Sequence, residues 1–514
     1  MSRAVSDAYV MAINAENEQT VFHAEFGFVP PGAREGATLD ASPFGQLWGS
    51  RLDQLNNRAL RMGAKWGSLE LNRATLGGGW RYIDPTIEQQ TGDWSTVQSD
   101  ANGVFATPPY IEMTLDAPYD LIGVQVVFDD LGMEWATEMR VTYYNAAGAT
   151  LDERTFQNDR VSAPIDYQYN GVKKFRVTLN KWSLPRRFAK VCQVIPGQIR
   201  YFTDENLYSF GLRESISPFN PLKIPEFSLV FPNENQEYNI INPTGVVAKL
   251  RGKMEIVSQI GLVIAPVVEY VSTGNFLLFS WPDDANDETA SFICRPDMAF
   301  ANKNYVFSGT ATQTVAQIAA AISTQAGLEI AIDVDATMQS IQVNANIGDK
   351  VPLQNAFGQL AIAAGGYVKF ERDGSYKIKP MLFDSPIRTL DYNNMWGKAR
   401  IVQDLAPAGV NVKYQRNELF VSSDNELGKV RDISSDFILN ATEARRVGEI
   451  ALAFFNNRLQ IDIPFRGDMS IEAGDIVSVE TDYGFKDILI LEHEITYNTK
   501  DFLQGRLKGV GYEP

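Results

Sequence analysis

The sequence predicts a mainly β, multi-domain protein, and three observations carry that reading. Its 514 residues are enough for three to four domains at roughly 150 residues each. Its 39 glycines, 29 phenylalanines and 20 tyrosines suit strands joined by many turns. Short runs alternating apolar and polar residues recur from about residue 66 onward, broken by helical periodicity in only a few places.

Residues 1–65 form an N-terminal arm with little periodic signal. VPPGAREGATLDASPFG (Val29–Gly45) is loop-like, and Leu52, Leu55, Leu60 and Met62 give only a weak helical pattern. Residues 66–200 are strongly β. Ile111–Leu115 alternates, Gly123–Phe128 reads as a buried strand, and Arg140–Tyr144 and Thr150–Phe156 flank the turn NAAGA. Lys174–Leu179 alternates again, so this region is expected to form a sandwich or jelly roll.

Residues 201–299 hold strands at Phe227–Phe231, Val246–Leu250, Lys253–Val257, Val267–Val271 and Phe276–Trp281, then the polar loop Pro282–Ala290. The region is introduced by SPFNPLKIPEFSLVFPNEN (Ser217–Asn235). Its prolines fix φ and favour extended neighbours, and its interleaved aromatics suit a stiff segment lying against a folded surface. Residues 300–380 read as a small α+β unit. Val315, Ile318, Ala319 and Ile322 share one helix face that stops at Gly327, and a second helix spans Leu353–Ala364. A hairpin turns at Asp373–Gly374. Residues 381–514 return to β, with a strand at Gly409–Tyr414, a helix over Ala441–Asn457, and strands at Leu459–Pro464, Ile476–Glu480, Ile488–Tyr497 and Phe502–Val510.

Composition and motifs exclude several function classes. A net charge of -17 argues against nucleic-acid coating, which needs clustered Lys and Arg. No apolar run approaches the ~18 residues of a membrane span, so no membrane insertion is expected, and no signal peptide is apparent. Cys192 and Cys294 read as two buried free thiols. The only histidines are His23 and His493; HEITY at His493 lacks the second His of a zinc motif and reads as strand. LGGGW (Leu76–Trp80) lacks the G-K-[ST] of a phosphate loop, and DDANDE (Asp283–Glu288) lacks the central Gly of a calcium loop. No catalytic residue, metal site or cofactor is expected. Trp80, Tyr82 and Trp94 are the candidate glycan-binding residues, because aromatics in turn-rich sequence can stack on sugar faces; core packing is the alternative for each.

The C-terminal stretch beginning ATEARRVGEIALAFFNNRL (Ala441–Leu459) resembles the closing part of tail-tip and baseplate hub proteins of long-tailed bacteriophages and related contractile particles. The resemblance rests on that helix, on Arg466–Val477 (RGDMSIEAGDIV) and on the final hairpin Glu492–Gly511. PLQNAFGQLAIAAGGYVKFERDGSYKIKP looks like the small domain before the second barrel of such hubs. SFGLRESISPFNPLKIPEFSLVFPNENQEYNIINPTG looks like the lead-in to the first barrel, and residues 66–200 are similar to galactose-binding-like jelly rolls. The resemblance implies two tail-tube-like β-barrels (201–299 and 381–514) with the α+β unit between them. It implies a homotrimer joining a six-fold tail tube to a three-fold tip, with tube proteins, the tape-measure protein and other baseplate or fibre proteins as partners. DNA would pass through without specific binding, past a lumen made repellent by carboxylates. The chain would be made in the host bacterial cytoplasm and reside in the virion, at the tail tip. The alternatives are a peripheral receptor- or carbohydrate-binding tail protein that holds a host cell-surface glycan with its jelly roll, and a cell-wall glycan hydrolase.

Overall fold

Period-two alternation governs most of the chain. A computed structural model of the protein describes residues 5–13, 19–30, 32–34, 36–45, 93–129, 132–165, 167–234, 238, 250–264, 267–281, 288–328, 330–348, 350–381, 385–423, 425, 428–498 and 502–511. It is mainly β, with helices at Asp7–Ile13, Val315–Ala326, Leu353–Ala364 and Ala441–Phe455 among the described residues. The chain divides into two compact units, one of residues 26–200 and 242–255, the other of residues 1–25, 201–241 and 256–514.

The 26–200 unit is a sandwich of two five-stranded antiparallel sheets. One runs Thr38–Ser42, Tyr110–Leu121, Tyr169–Trp182, Ala136–Tyr144, Thr150–Gln157; the other runs Phe44–Gly45, Asp93–Gln98, Phe188–Ile195, Val124–Phe128, Ser162–Ile165. Alternation sends Ile111, Met113, Leu115, Met139, Val141, Phe175 and Val177 inward from the first sheet, against Val124, Val126, Phe128 and Val191 of the second. The stretch Val29–Gly45, expected to be a loop, supplies two of these strands. Thr38–Ser42 pairs from Thr38↔Thr114 to Ser42↔Tyr110, and Phe44 pairs with Ser95. Both are short, and Leu39 and Ala41 are only partly buried against the core. That leaves almost no periodic signal to read.

The other unit is organised by one 13-stranded sheet. From Glu255–Ile264 it passes through Val267–Ser280, Thr289–Arg295, Glu226–Pro232, Ser209–Ser215, Gly484–Asn498, Phe502–Gly511 and Leu459–Phe465 to Arg400–Gln403. The expected pair of barrels is replaced by this continuous sheet, with no closed barrel among the described residues. The cause is the length of Gly484–Asn498. Its first residues, Gly484 to Leu489, pair with Ile476–Thr481, while Glu492 to Asn498 pair with Ser209–Ser215. Its other edge pairs with Phe502–Gly511, with a register shift between Ile490 and Glu492. One strand therefore joins the early and late β regions. Glu226–Pro232 lies inside the sheet, bonded on both sides, with Pro232 at its end where a missing donor costs least.

The helices follow their sequence signals. Thr314 caps Val315–Ala326 in a reciprocal capping box with Gln317, and Gly327 ends it at φ 69°. Leu353–Ala364 ends at Gly365, φ 83°. Asn440 caps Ala441–Phe455 by accepting from the Glu443 N–H. A single core runs from Ile216 to Val510, joining Val315, Leu353 and Tyr376 to Val410, Ile433 and Val447. Phe219, in the proline-rich lead-in, is buried in it, with its ring 6.0 Å from Phe454 and 5.9 Å from Phe455.

Candidate functional site

The RGDMSIEAGD segment is the rim of a buried charge cluster. Phe210, Leu212 and Glu214 face inward in turn from Ser209–Ser215, so a carboxylate sits where alternation calls for an apolar side chain. It is matched from the hairpin Gly366–Pro380: Arg372, just before the Asp373–Gly374 turn, is buried and reaches into the sheet. Arg372 Nε and Nη2 donate to the two Glu214 oxygens at 2.8 Å each, in a bidentate pair. Its remaining donors go to the carbonyls of Met469 and, at 3.0 Å, Ile471. His493 Nδ1 lies 2.9 Å from Glu214 Oε2.

A second cation, Lys369, is buried one strand residue from the same hairpin end. Its ammonium is 3.1 Å from Asp475, 3.3 Å from Glu472 and 3.7 Å from Glu371. Asp475 in turn accepts the Glu472 N–H at 3.0 Å. Burial works to raise the Glu214 carboxyl, but the Arg372 guanidinium and the His493 ring hold it down at about 2. Burial raises Glu472 against the pull of Arg372 and Lys369. For Lys369 the charges of Asp475, Glu472 and Glu371 outweigh burial and push its pKa up. The cluster holds no nucleophile–base pair. It fastens four chain segments, those of Glu214, of Lys369 to Arg372, of Met469 to Asp475 and of His493, at one point.

The opposite face of this sheet carries charge in two cross-strand rows. Glu226, Arg213, Glu494 and Arg506 stand opposite one another on four successive strands, and Arg295 on the next strand reaches Glu226. Glu492, Lys508, Asp462 and Arg400 do so on four. Neighbours in the rows are ion-paired at 2.6 Å for Arg295–Glu226, 2.8 Å for Arg213–Glu494 and 2.6 Å for Lys508–Glu492. Arg506 leans across to Asp462 at 2.5 Å. Alternating signs directly opposite each other stabilise strand pairing, by roughly 0.2–1 kcal/mol per pair. Over the second row lies a cleft of about 940 Å³, walled by the Pro218–Lys223 segment and the end of the Ala441–Phe455 helix.

Large apolar side chains stand exposed in the same unit. Five fall between Tyr392 and Leu405: Tyr392, Trp396, Ile401, Val402 and Leu405, the last 73% exposed. Phe420, Val430, Phe485 and Tyr483, 87% exposed, add four more. Tyr392 Oη donates to Asp482 at 2.9 Å and Lys398 Nζ at 2.7 Å, holding the Tyr392 loop beside the turn that carries Tyr483.

Of the candidate glycan-binding residues, Trp80 and Tyr82 lie outside the described residues, as does LGGGW. Trp94 is 2% exposed. Its ring packs 6.1 Å from Phe188 with the Lys190 ammonium 4.7 Å above it, the core placement that was the alternative for this residue. Beside it the sandwich buries an ion cluster that no sequence signal marked: Glu134 accepts from Lys190 Nζ at 2.8 Å and Trp182 Nε1 at 2.9 Å. Cys192 and Cys294 are both buried. No helix among the described residues is long and apolar enough to cross a membrane. Among the same residues, no group of three or more His, Cys, Asp or Glu is placed to hold a metal ion.

No protein-family model matches the chain, and no curated protein matches it. Among solved structures, the chain is similar to a tail protein from Neisseria meningitidis, at 12% identity and TM-score 0.47, over 61% of this chain and 94% of that one. It is similar to a prophage tail protein from Shewanella oneidensis, at 12% identity and TM-score 0.43, over 61% and 94%. It is also similar to a prophage tail protein from Listeria monocytogenes, at 11% identity and TM-score 0.40, over 60% and 91%.

Proposed function

We propose that this protein is a structural component of a phage tail or tail-like particle, serving as the tail-tip or baseplate hub, with no catalysis of its own. In this reading three chains form a closed ring. The ring joins the tail tube to the tip, contacts the tape-measure protein and other baseplate proteins, and passes DNA without binding it specifically. The 26–200 sandwich is an inserted jelly roll that makes protein contacts.

The observation that carries the reading is the exposed apolar set from Tyr392 to Phe485. Its aromatic members, Tyr483 at 87%, Trp396 at 58% and Phe485 at 54% exposure, are residue types enriched at interfaces and suit contact with a partner. The resemblance of RGDMSIEAGDIV to the hub family supports the choice of partner, because that segment roots the strands beside the exposed set. The polar sheet face modifies one expectation. Five cations there (Arg213, Arg295, Arg400, Arg506, Lys508) outnumber four carboxylates (Glu226, Asp462, Glu492, Glu494), so in this reading a repellent acidic lining comes from other surfaces.

Sedimentation velocity tests the assembly. The expected result is a three-chain species that Trp396→Asp with Leu405→Asp converts to a single chain, at unchanged thermal stability. A wild-type chain that stays monomeric at high concentration, alone and with tube protein, overturns the hub reading.

A further inference from the structure

The cleft over the second charge row spans four strands. Its floor crosses the sheet from Arg400 through Asp462 and Lys508 to Glu492, and Lys223 closes the far end, 2.8 Å from Glu492. Strands lie about 4.8 Å apart, so four strands and the closing segment give a trough of about 19 Å. At about 3.3 Å per residue that length takes some six residues of extended chain.

The walls and floor differ in chemistry. Leu222, Phe455 and Leu491 are half-buried along the trough, and Val402 stands exposed in it at 43%. Among the charged lining groups, Lys223, Arg400, Arg431 and Lys508 face Asp404, Asp462 and Glu492. The cations are in excess by one, in a chain whose net charge is -17. The excess has a location. Lys223 and Lys508 both bond Glu492, and Arg431 lies 3.6 Å from Asp404. Asp462, the residue opposite Arg400, accepts from Arg506 Nε and Nη2, at 2.8 and 2.5 Å. The exposed Arg400 guanidinium is thus left beside a carboxylate already engaged, at the open end of the trough.

We infer that this trough binds an extended peptide segment of a partner protein, in which aliphatic residues alternate with acidic ones. The aliphatic side chains lie against Leu222, Phe455 and Val402, and a carboxylate meets Arg400. The trough's length selects extended chain over a compact small molecule, and the local reversal of charge selects acidic over basic segments. The inference does not depend on the chain's role in a particle.

The probe is a fluorescein-labelled ten-residue peptide of alternating Glu and Val, blocked at both ends, compared with its Lys–Val counterpart by fluorescence anisotropy on the full chain. The expected result is saturable binding of the Glu–Val peptide and at least tenfold weaker binding of the Lys–Val one. Arg400→Glu and Phe455→Ser should each weaken the Glu–Val peptide about tenfold or more, with Arg160→Glu, an equal charge change on the 26–200 unit, leaving it unaltered. Phe455→Ser also has to keep the wild-type melting temperature to count. Absence of binding, equal affinity for the two peptides, or equal effects of Arg400→Glu and Arg160→Glu overturns the inference.

Discussion

Glu214 and His493 stand opposite each other on adjacent antiparallel strands, 279 residues apart in sequence, with His493 Nδ1 2.9 Å from Glu214 Oε2. Arg372 completes the arrangement from a third segment, binding both oxygens of the same carboxylate. Every member is buried, so the cluster is expensive to break from one side. Arg372→Leu should cost about 3–5 kcal/mol in chemical denaturation, because it leaves Glu214 buried and uncompensated. Adding Glu214→Leu should recover most of the loss, since an apolar pair needs no compensation. If the double variant is no better than the single one, the carboxylate is not the source of the cost.

The same carboxylate predicts a stability change with pH. Glu214 falls from an ordinary 4.5 to about 2 on folding, so the unfolded chain binds the extra proton. The resulting stabilisation, on the order of 3 kcal/mol, is complete above about pH 4.5 and is lost as pH falls toward 2. Glu472, raised by burial, acts with the opposite sign and offsets part of this. The stability difference between wild type and Glu214→Gln should be constant above pH 5 and shrink below it.

Asp93 in the sandwich gives the reverse slope. Burial raises it from 3.8 to about 7, against the Trp94 N–H it accepts at 3.1 Å. The folded form now holds the extra proton, so stability falls as pH rises from about 4 to 7, by a few kcal/mol. Asp93→Asn keeps an acceptor for Trp94 and removes the charge. It should raise the melting temperature at pH 8 and flatten the pH dependence across that window.

Gly448 sits mid-helix in Ala441–Phe455, where alanine is ordinarily favoured by about 1 kcal/mol. A Cβ there would come 2.6 Å from Val421 Cγ2 and 3.0 Å from Val412 Cγ2, on the sheet beneath. Overpacking of this kind costs about 1–3 kcal/mol, so Gly448→Ala should destabilise on balance. A gain in melting temperature would show that the helix can lift off the sheet without penalty.

Local signals were legible and sheet-level ones were not. Leu353–Ala364 has the bounds its periodicity predicts, and the helix before it stops at Gly327 as its pattern indicates. Phe227–Phe231, bracketed by prolines, is strand. What stayed hidden was partnership at long range. Nothing in the local pattern of Gly484–Asn498 says that half of one edge will pair with Ile476–Thr481 and the other half with Ser209–Ser215. The charge rows share this property, because Arg400, Asp462, Lys508 and Glu492 are scattered in sequence and aligned only by register. The cluster around Glu214 left one faint trace: a charged residue at an inward position of an otherwise alternating strand, SFGLRES. Trp94 shows another gap, since an aromatic in turn-rich sequence carries no mark of whether its ring faces in or out.

The pairing of Ser209–Ser215 with Glu492 to Asn498 also sets a clock. During synthesis, the early strand leaves the ribosome long before its neighbour exists. At about 5–20 residues per second, the 279 residues from Glu214 to His493 take roughly 15–55 s. Throughout that interval Glu214 lacks both its histidine and the loop carbonyls that share Arg372, and one edge of the nascent sheet stays open. A chain interrupted anywhere before residue 492 is left with that edge exposed, marked for aggregation or proteolysis rather than for completion of the fold.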